Sequence, residues 1–272
     1  MEAVRAAGRA LPALSRATTR VAEALASGGR LIYVGAGTSG RLGVLDASEC
    51  SPTFGAAPRQ VQAIIAGGPR ALTRAVEGSE DDAKAGARAL ARLRPVARDV
   101  VCGVTASAST PFVRGALAEA VRAGASTLLV CCNPPGAWAA RVDQVVHLET
   151  GAELIAGSTR LKAGTATKLA LNALTTGAFV LLGKVYRGRM VDLQPTNAKL
   201  RARAVRMVEE LTGLAPRQAR ALLVRAGGKV PVALAMHLTG LDAVGAAAHL
   251  ETQRLRALEP GSEMARRPRS AP

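Results

Sequence analysis

Residues 31–41, Leu-Ile-Tyr-Val-Gly-Ala-Gly-Thr-Ser-Gly-Arg, pass directly from an apolar run into a turn of glycines and hydroxyls. Leu31 to Val34 reads as a short strand buried on both faces, and the glycines after it open a helix. Four similar apolar runs follow, at Val61 to Ile65, Val100 to Val104, Thr127 to Cys131 and Gln144 to Leu148. Helical stretches lie between them, notably 70–93 and 112–123. Strands alternating with helices predict an α/β fold: a five-stranded parallel sheet flanked by helices on both faces. Ahead of the first strand, residues 1–29 carry Ala, Leu and Val at helical spacing up to a stop at Ser27-Gly28-Gly29.

After Gly157 the strand pattern ends. Leu161 to Gly183 is Ala- and Leu-rich and helical, and Leu200 to Leu211 continues in that mode. Residues 213–256 predict a group of short helices, one starting at Ala215-Pro216, one broken at Gly227-Gly228 and one after Gly240. The expected organisation is a sheet domain over 1–200, a small helical subdomain over 201–260 and a loose Pro- and Arg-rich tail over 261–272. No internal repeat is apparent.

Composition narrows the function. With 49% hydrophobic but only 2% aromatic residues, the core must be built from Ala, Val and Leu. A formal charge of +16 attracts polyanions. The arginines are scattered, however, and their densest run, Arg266-Arg267-Pro268-Arg269, falls in the tail. One Trp, two Tyr and three Phe provide no stacking platform. Nucleic acid is therefore not the expected partner, and the same field suits a phosphorylated small molecule. Cys50, Cys102, Cys131 and Cys132 lack zinc or disulfide spacing, so no metal site is expected. The N-terminus lacks a signal-peptide pattern, and Leu169 to Gly183 is too short to span a bilayer. A cytoplasmic protein without membrane contact is expected.

The chemistry collects in three places. Gly37, Thr38 and Ser39 lie where backbone amides at a helix start bind anions, and their loop formally matches the dinucleotide pattern G-x-G-x-x-G. The second strand ends in Ala66-Gly67-Gly68, without the acid that would hold a ribose, so a terminal phosphate fits better. A tight turn with hydroxyl caps is the plainer alternative. Thr105-Ala106-Ser107-Ala108-Ser109-Thr110-Pro111 follows the third strand with four hydroxyls. Capping by Ser109 or Thr110 would need only one, so a ligand crevice is indicated. Among the carboxylates, Glu77, Asp81 and Asp82 read as a solvated helix face. Glu49 stands alone among apolar and small residues, where burial would raise its pKa. An acid/base pair is open at this level.

The stretch 35–55, GAGTSGRLGVLDASECSPTFG, resembles the signature of the N-acetylmuramic acid 6-phosphate etherases, a family of the sugar-isomerase (SIS) fold group related to the glucokinase regulatory protein. The likeness continues through IIAGG (64–68), AVEGSEDD (75–82), CNP (132–134), GSTRLKAGTATK (157–168) and MVD…TNAKL (190–200). It implies an SIS-type parallel sheet, a sugar-phosphate substrate, no cofactor and a homodimer with shared sites. It also implies a reaction on the open-chain sugar. A base removes the proton beside the aldehyde, lactate leaves from the neighbouring carbon, and water adds to give N-acetylglucosamine 6-phosphate and D-lactate. The family's catalytic glutamates fall on Glu49, the acid that protonates departing lactate, and Glu80, the base that later activates water. Gly37, Thr38, Ser39, Ser107, Ser109, Thr110 and Lys162 would hold the phosphate and substrate. Ser158, Thr159, Arg160, Lys162 and Lys168 crowd cationic and polar groups into an apolar helix, as expected at a subunit interface.

Family members usually carry Gly where this chain has Ala108. If that position needs φ > 0, Ala costs roughly 1 kcal/mol there. They also carry an additional N-terminal segment, so weaker dimer contacts are expected. Two other activities share this fold: a regulator that binds a sugar phosphate without transforming it, and an aldose–ketose isomerase. The joint presence of DASEC and EGSED favours the etherase.

Overall fold

The computed structural model describes residues 1–192 and 198–258. The expected loose tail, 261–272, lies outside the described residues. Two compact units are present, one comprising Met1–Ser51 and Ala56–Ala178, the other Pro52–Gly55 and the chain from Phe179 onward. The division thus falls inside a helix at 178/179, whereas composition had suggested residue 200.

In the first unit, helices α1 (Glu2–Arg9) and α2 (Leu11–Ala26) precede strand β1 (Leu31–Gly35). Then come α3 (Gly37–Phe54), β2 (Val61–Ile65), α4 (Ala83–Ala91), β3 (Val100–Thr105), α5 (Pro111–Arg122), β4 (Ser126–Cys131), β5 (Gln144–His147) and α6 (Lys162–Leu181). The five strands form one parallel sheet in the order β2-β1-β3-β4-β5. Each expected strand is present. Side chains alternate across it: Ile32, Val34, Val101 and Leu129 pack with Phe112, Val113 and Leu117 of α5 and Leu90 of α4. Tyr33, one residue out of phase, points to the other face and lies against Gly43 of α3.

The helix expected over 70–93 forms only in part. Gly68–Leu72 makes a short 3₁₀ turn, and α4 starts at Ala83. Gly78 at φ 71° interrupts the register, and the Asp82 side chain caps the new helix by accepting from the Ala85 amide at 2.8 Å. Glu77 and Asp81 therefore sit on a loop, not on a helix face.

The second unit holds β6 (Val185–Tyr186) and β7 (Arg189–Met190), then α7 (Ala198–Thr212), α8 (Pro216–Arg225), α9 (Val230–Thr239) and α10 (Ala243–Thr252). The strand pair was not legible as a periodic run. It is a two-residue hairpin, with Arg187 and Gly188 both at positive φ as a type I′ turn requires. Phe54 stacks on Phe179 with ring centroids 4.6 Å apart, and Val191, Ala204, Val208, Ala233 and Leu234 centre a separate apolar core. Among the described residues no single helix is long and apolar enough to cross a membrane. Only α8 and α9 together reach that length, across a 105° bend.

Candidate active site

The strand order 2-1-3-4-5 reverses direction between β1 and β3, and in open parallel sheets ligands bind in the crevice at that reversal. Both hydroxyl turns lie there. The β1 turn is made by close backbone packing: a Cβ on Gly35 would stand 2.7 Å from the Gly40 amide, and one on Gly40 would stand 2.8 Å from the Gly35 carbonyl. Gly37 adopts φ 51° at the first turn of α3. Thr38 and Ser39 are half-buried, and neither hydroxyl has a hydrogen-bond partner among the described residues. The helix start therefore offers free amides and free hydroxyls together.

After β3, Thr105 bonds Thr110 at 2.7 Å and Ser107 at 3.3 Å, and Ser109 donates to Ser107 through its amide (3.2 Å) and its hydroxyl (3.0 Å). Thr110 occupies the cap position of α5 without capping it, since its hydroxyl is turned to Thr105. The ordinary capping explanation thus fails at this turn. Ala108 sits at φ 58°, the left-handed conformation that favours glycine, with its methyl buried in the core.

Glu80 is held next to this second turn. Its carbonyl accepts from the Phe112 amide at 2.9 Å, in the first turn of α5. The helices on either side, α4 and α5, pack closely as well. A Cβ on Gly86 would stand 1.9 Å from the Phe112 carbonyl oxygen, and one on Gly115 would stand 1.9 Å from that of Ala83. The Glu80 side chain is exposed.

Lys162 begins α6. A Cβ on Gly164, in the same turn, would stand 3.5 Å from Cγ2 of Thr38, so the starts of α3 and α6 lie side by side. The Glu2 carboxyl is held below its ordinary range by its hydrogen bond from Arg9, which outweighs some desolvation, with Arg9, Arg5 and then Lys162 adding charge.

Glu49 departs from expectation. It is exposed, because an α-helix turns 100° per residue and the inward positions of α3 are Asp46 and Cys50. From Ser39 to Glu49 is ten residues of continuous helix, about 15 Å along its axis. Within one chain, the two hydroxyl turns and Glu80 are brought together at one end of the sheet, and Glu49 is not.

The desolvation expected at Glu49 falls on Asp46. This carboxylate is 8% exposed and accepts from the Tyr33 hydroxyl at 2.9 Å and the Thr175 hydroxyl at 3.2 Å. With its amide group facing the carboxylate, Asn172 donates to Asp46 Oδ1 at 3.2 Å and accepts from Lys168 Nζ at 3.1 Å. Burial raises the Asp46 pKa to about 6, against the lowering effect of the Tyr33 and Thr175 hydrogen bonds and the Lys168 charge. Asp46 thus ties α3 to β1 and α6. A second residue not singled out from sequence is Glu153, whose carboxylate accepts from the Lys162 (3.0 Å) and Ala163 (2.9 Å) amides and caps α6. Only Glu153 carries a local signal, an acid ahead of a helix start; which acid of α3 is buried depends on what that helix packs against.

Comparison with known proteins bears on the same segments. The description "Glucokinase regulatory protein N-terminal SIS domain" matches residues 13–121, which include both turns and both glutamates. An N-acetylmuramic acid 6-phosphate etherase of Gloeobacter violaceus is 55% identical over 92% of this chain and 80% of its own length. Those of Rippkaea orientalis and Synechocystis are 53% and 52% identical, over 89% and 88% of this chain and 79% and 78% of theirs. At that identity, over that share of both chains, the protein belongs to the N-acetylmuramic acid 6-phosphate etherase family.

Proposed function

We propose that this chain is a carbon–oxygen lyase that releases D-lactate from N-acetylmuramic acid 6-phosphate and leaves N-acetylglucosamine 6-phosphate. What carries the reading is the extent of its identity with the etherases, together with two hydroxyl turns at the β1/β3 reversal and Glu80, whose backbone carbonyl is bonded to the first turn of α5 just after the second of them. The phosphate dianion lies against the free amides and hydroxyls of Gly37, Thr38 and Ser39 and the hydroxyls of Ser107, Ser109 and Thr110, with Lys162 supplying positive charge. The open-chain aldehyde acidifies the proton on C2, and Glu80 removes it. The C3–oxygen bond breaks, its electron pair leaves with the lactate oxygen, and Glu49 supplies the proton that oxygen needs. Glu80 gives up that proton to solvent, takes one from the water that adds to C3 and returns it to C2, while Glu49 regains its proton from solvent. Positioned proton transfer of this kind contributes roughly two to four powers of ten in rate.

About 15 Å of helix separates Ser39 from Glu49, further than the reacting carbons stand from the phosphate. The acid therefore comes from a second copy. In a twofold dimer each site takes its hydroxyl turns and Glu80 from one chain and Glu49 from the other. Contact with that copy also supplies the desolvation that Glu49 lacks in a single chain. A cytoplasmic location accords with a sugar-phosphate substrate.

Incubation with N-acetylmuramic acid 6-phosphate and assay of D-lactate is the direct test. Glu49→Gln should abolish lactate release while still admitting solvent deuterium at C2. Loss of both would count against the assigned roles, and full activity would remove Glu49 from the mechanism. Binding of the substrate without lactate release by the native protein would instead identify a sugar-phosphate-binding regulator.

A further inference from the structure

On the α5 side of the sheet lies a cavity of about 500 Å³, within the size range of small-molecule sites. Its walls are apolar, from Leu117, Val121 and Val142, and Val121 is 49% exposed. Two arginines, Arg114 and Arg141, also line it, with Trp138, the chain's single tryptophan. The Arg114 guanidinium lies 5.5 Å from the Trp138 ring centroid. Among the described residues, neither arginine has a carboxylate partner. The acids on the neighbouring helix segments are already engaged, Asp82 with Arg88 at 3.3 Å and Glu119 with Arg122 at 2.6 Å.

Two arginines without a carboxylate partner among the described residues, lining an apolar cavity beside an aromatic plate, select a ligand with a planar apolar body and a negative group. The body replaces water against Val121 and Val142, and the negative group meets charges that no carboxylate among the described residues neutralises. A sugar phosphate, polar throughout, does not fit this lining. The cavity is also linked to the hydroxyl turn after β3: Trp138 Nε1 donates to the Ala108 carbonyl at 2.9 Å. Ala108 is the left-handed residue of that turn, so the indole that walls the cavity also holds the strained peptide between Ser107 and Ser109.

From these contacts we infer a second ligand site, formed by Arg114, Trp138 and Arg141 over the apolar face of α5. It takes a planar aromatic anion and is coupled through the Trp138–Ala108 hydrogen bond to the hydroxyl turn. The site itself is independent of the proposed activity; only the coupling rests on that reading.

The test uses the whole protein and its own fluorophore. Anilinonaphthalene sulfonate should quench Trp138 emission saturably at one equivalent per chain. Arg114→Gln and Arg141→Gln, both exposed positions, should each weaken that binding by about tenfold while leaving the circular dichroism spectrum unchanged. The uncharged phenylnaphthylamine should quench only weakly. Absent or unsaturable quenching, arginine variants that bind as well as the native chain, or a neutral probe that binds equally would each overturn the site. For the coupling, the affinity of N-acetylglucosamine 6-phosphate is measured by calorimetry with and without saturating probe. A change of about fivefold or more is expected, and the probe's affinity must shift by the same factor. Heat of binding with an affinity indifferent to the probe overturns the coupling. No heat in either case overturns the sugar-phosphate reading and, with it, the coupling, while the quenching result still decides the site.

Discussion

The Phe112 amide donates to the Glu80 carbonyl at 2.9 Å, and the Phe112 carbonyl in turn lies where a Cβ on Gly86 would stand 1.9 Å away. One residue of α5 thus holds the Glu80 loop on one side and meets the glycine face of α4 on the other. Gly86→Ala would ordinarily gain about 1 kcal/mol in helix propensity. Here the obstructing atom is backbone, which cannot rotate away, so overpacking of roughly 1–3 kcal/mol prevails. Urea unfolding should show a net loss, and kcat/KM for lactate release should fall as α4 moves the Glu80 loop. Gly8→Ala, with nothing within 4 Å of the added methyl, should be neutral or stabilising and fully active. Equal stability of the two variants would refute the account of the α4–α5 contact.

Asp46 links stability to pH in a stated direction. Its native pKa of about 6 lies above the ordinary carboxyl value of 3.8, so the folded protein holds this proton more tightly than the unfolded chain. Below about pH 4 both states are protonated and the site is neutral in its effect. As pH rises from there through about 6, the unfolded chain gains by ionising first and stability falls, by roughly 3 kcal/mol in all. Asp46→Asn keeps an acceptor for Tyr33 and removes the charge. Relative to the native chain, this variant should gain stability progressively between pH 4 and 7. Parallel pH–stability curves for the two proteins would show that the buried carboxyl does not titrate in this way.

At Ala108 three effects nearly cancel. Relief of a left-handed Ala favours glycine by roughly 1–2 kcal/mol. Against that, the glycine chain loses about 0.4–1 kcal/mol through its freer unfolded state, and the buried methyl contributes about 0.8 kcal/mol. Ala108→Gly should therefore lie within about 1 kcal/mol of the native protein. Ala108→Val, β-branched at φ 58° and buried, should lose 2 kcal/mol or more (about the upper end of left-handed strain with overpacking added). Thermal melts of the pair check this; a well-tolerated valine would mean that the turn does not hold positive φ in solution.

If each site draws Glu49 and Glu80 from different chains, two inactive variants should complement. Mixed at equal amounts and allowed to exchange, Glu49→Gln and Glu80→Gln form half mixed dimers with one intact site each, restoring about a quarter of native activity. A mixture that stays inactive, despite demonstrated subunit exchange, places both glutamates in one chain's site.

The sequence by itself determined the sheet, its five strands and the two hydroxyl turns. Buried parallel strands need unbroken apolar runs, and a strand-to-helix turn this tight needs Gly35 and Gly40, so these features are written locally. Only the tertiary structure decided that Asp46 is the buried acid of α3 while Glu49 faces outward. That depends on the helix's rotation against Tyr33 and Thr175, partners 13 residues before and 129 residues after Asp46. At residues 73–82 the deciding features are local instead, a glycine at positive φ and the Asp82 cap, which outweigh helical composition. Trp138 was legible as an isolated aromatic, but its bond to Ala108, 30 residues earlier, exists only because β3 and β4 are neighbours in the sheet. Local spacing encodes hydrogen bonds made within a few residues; burial and long-range pairing follow from which elements meet.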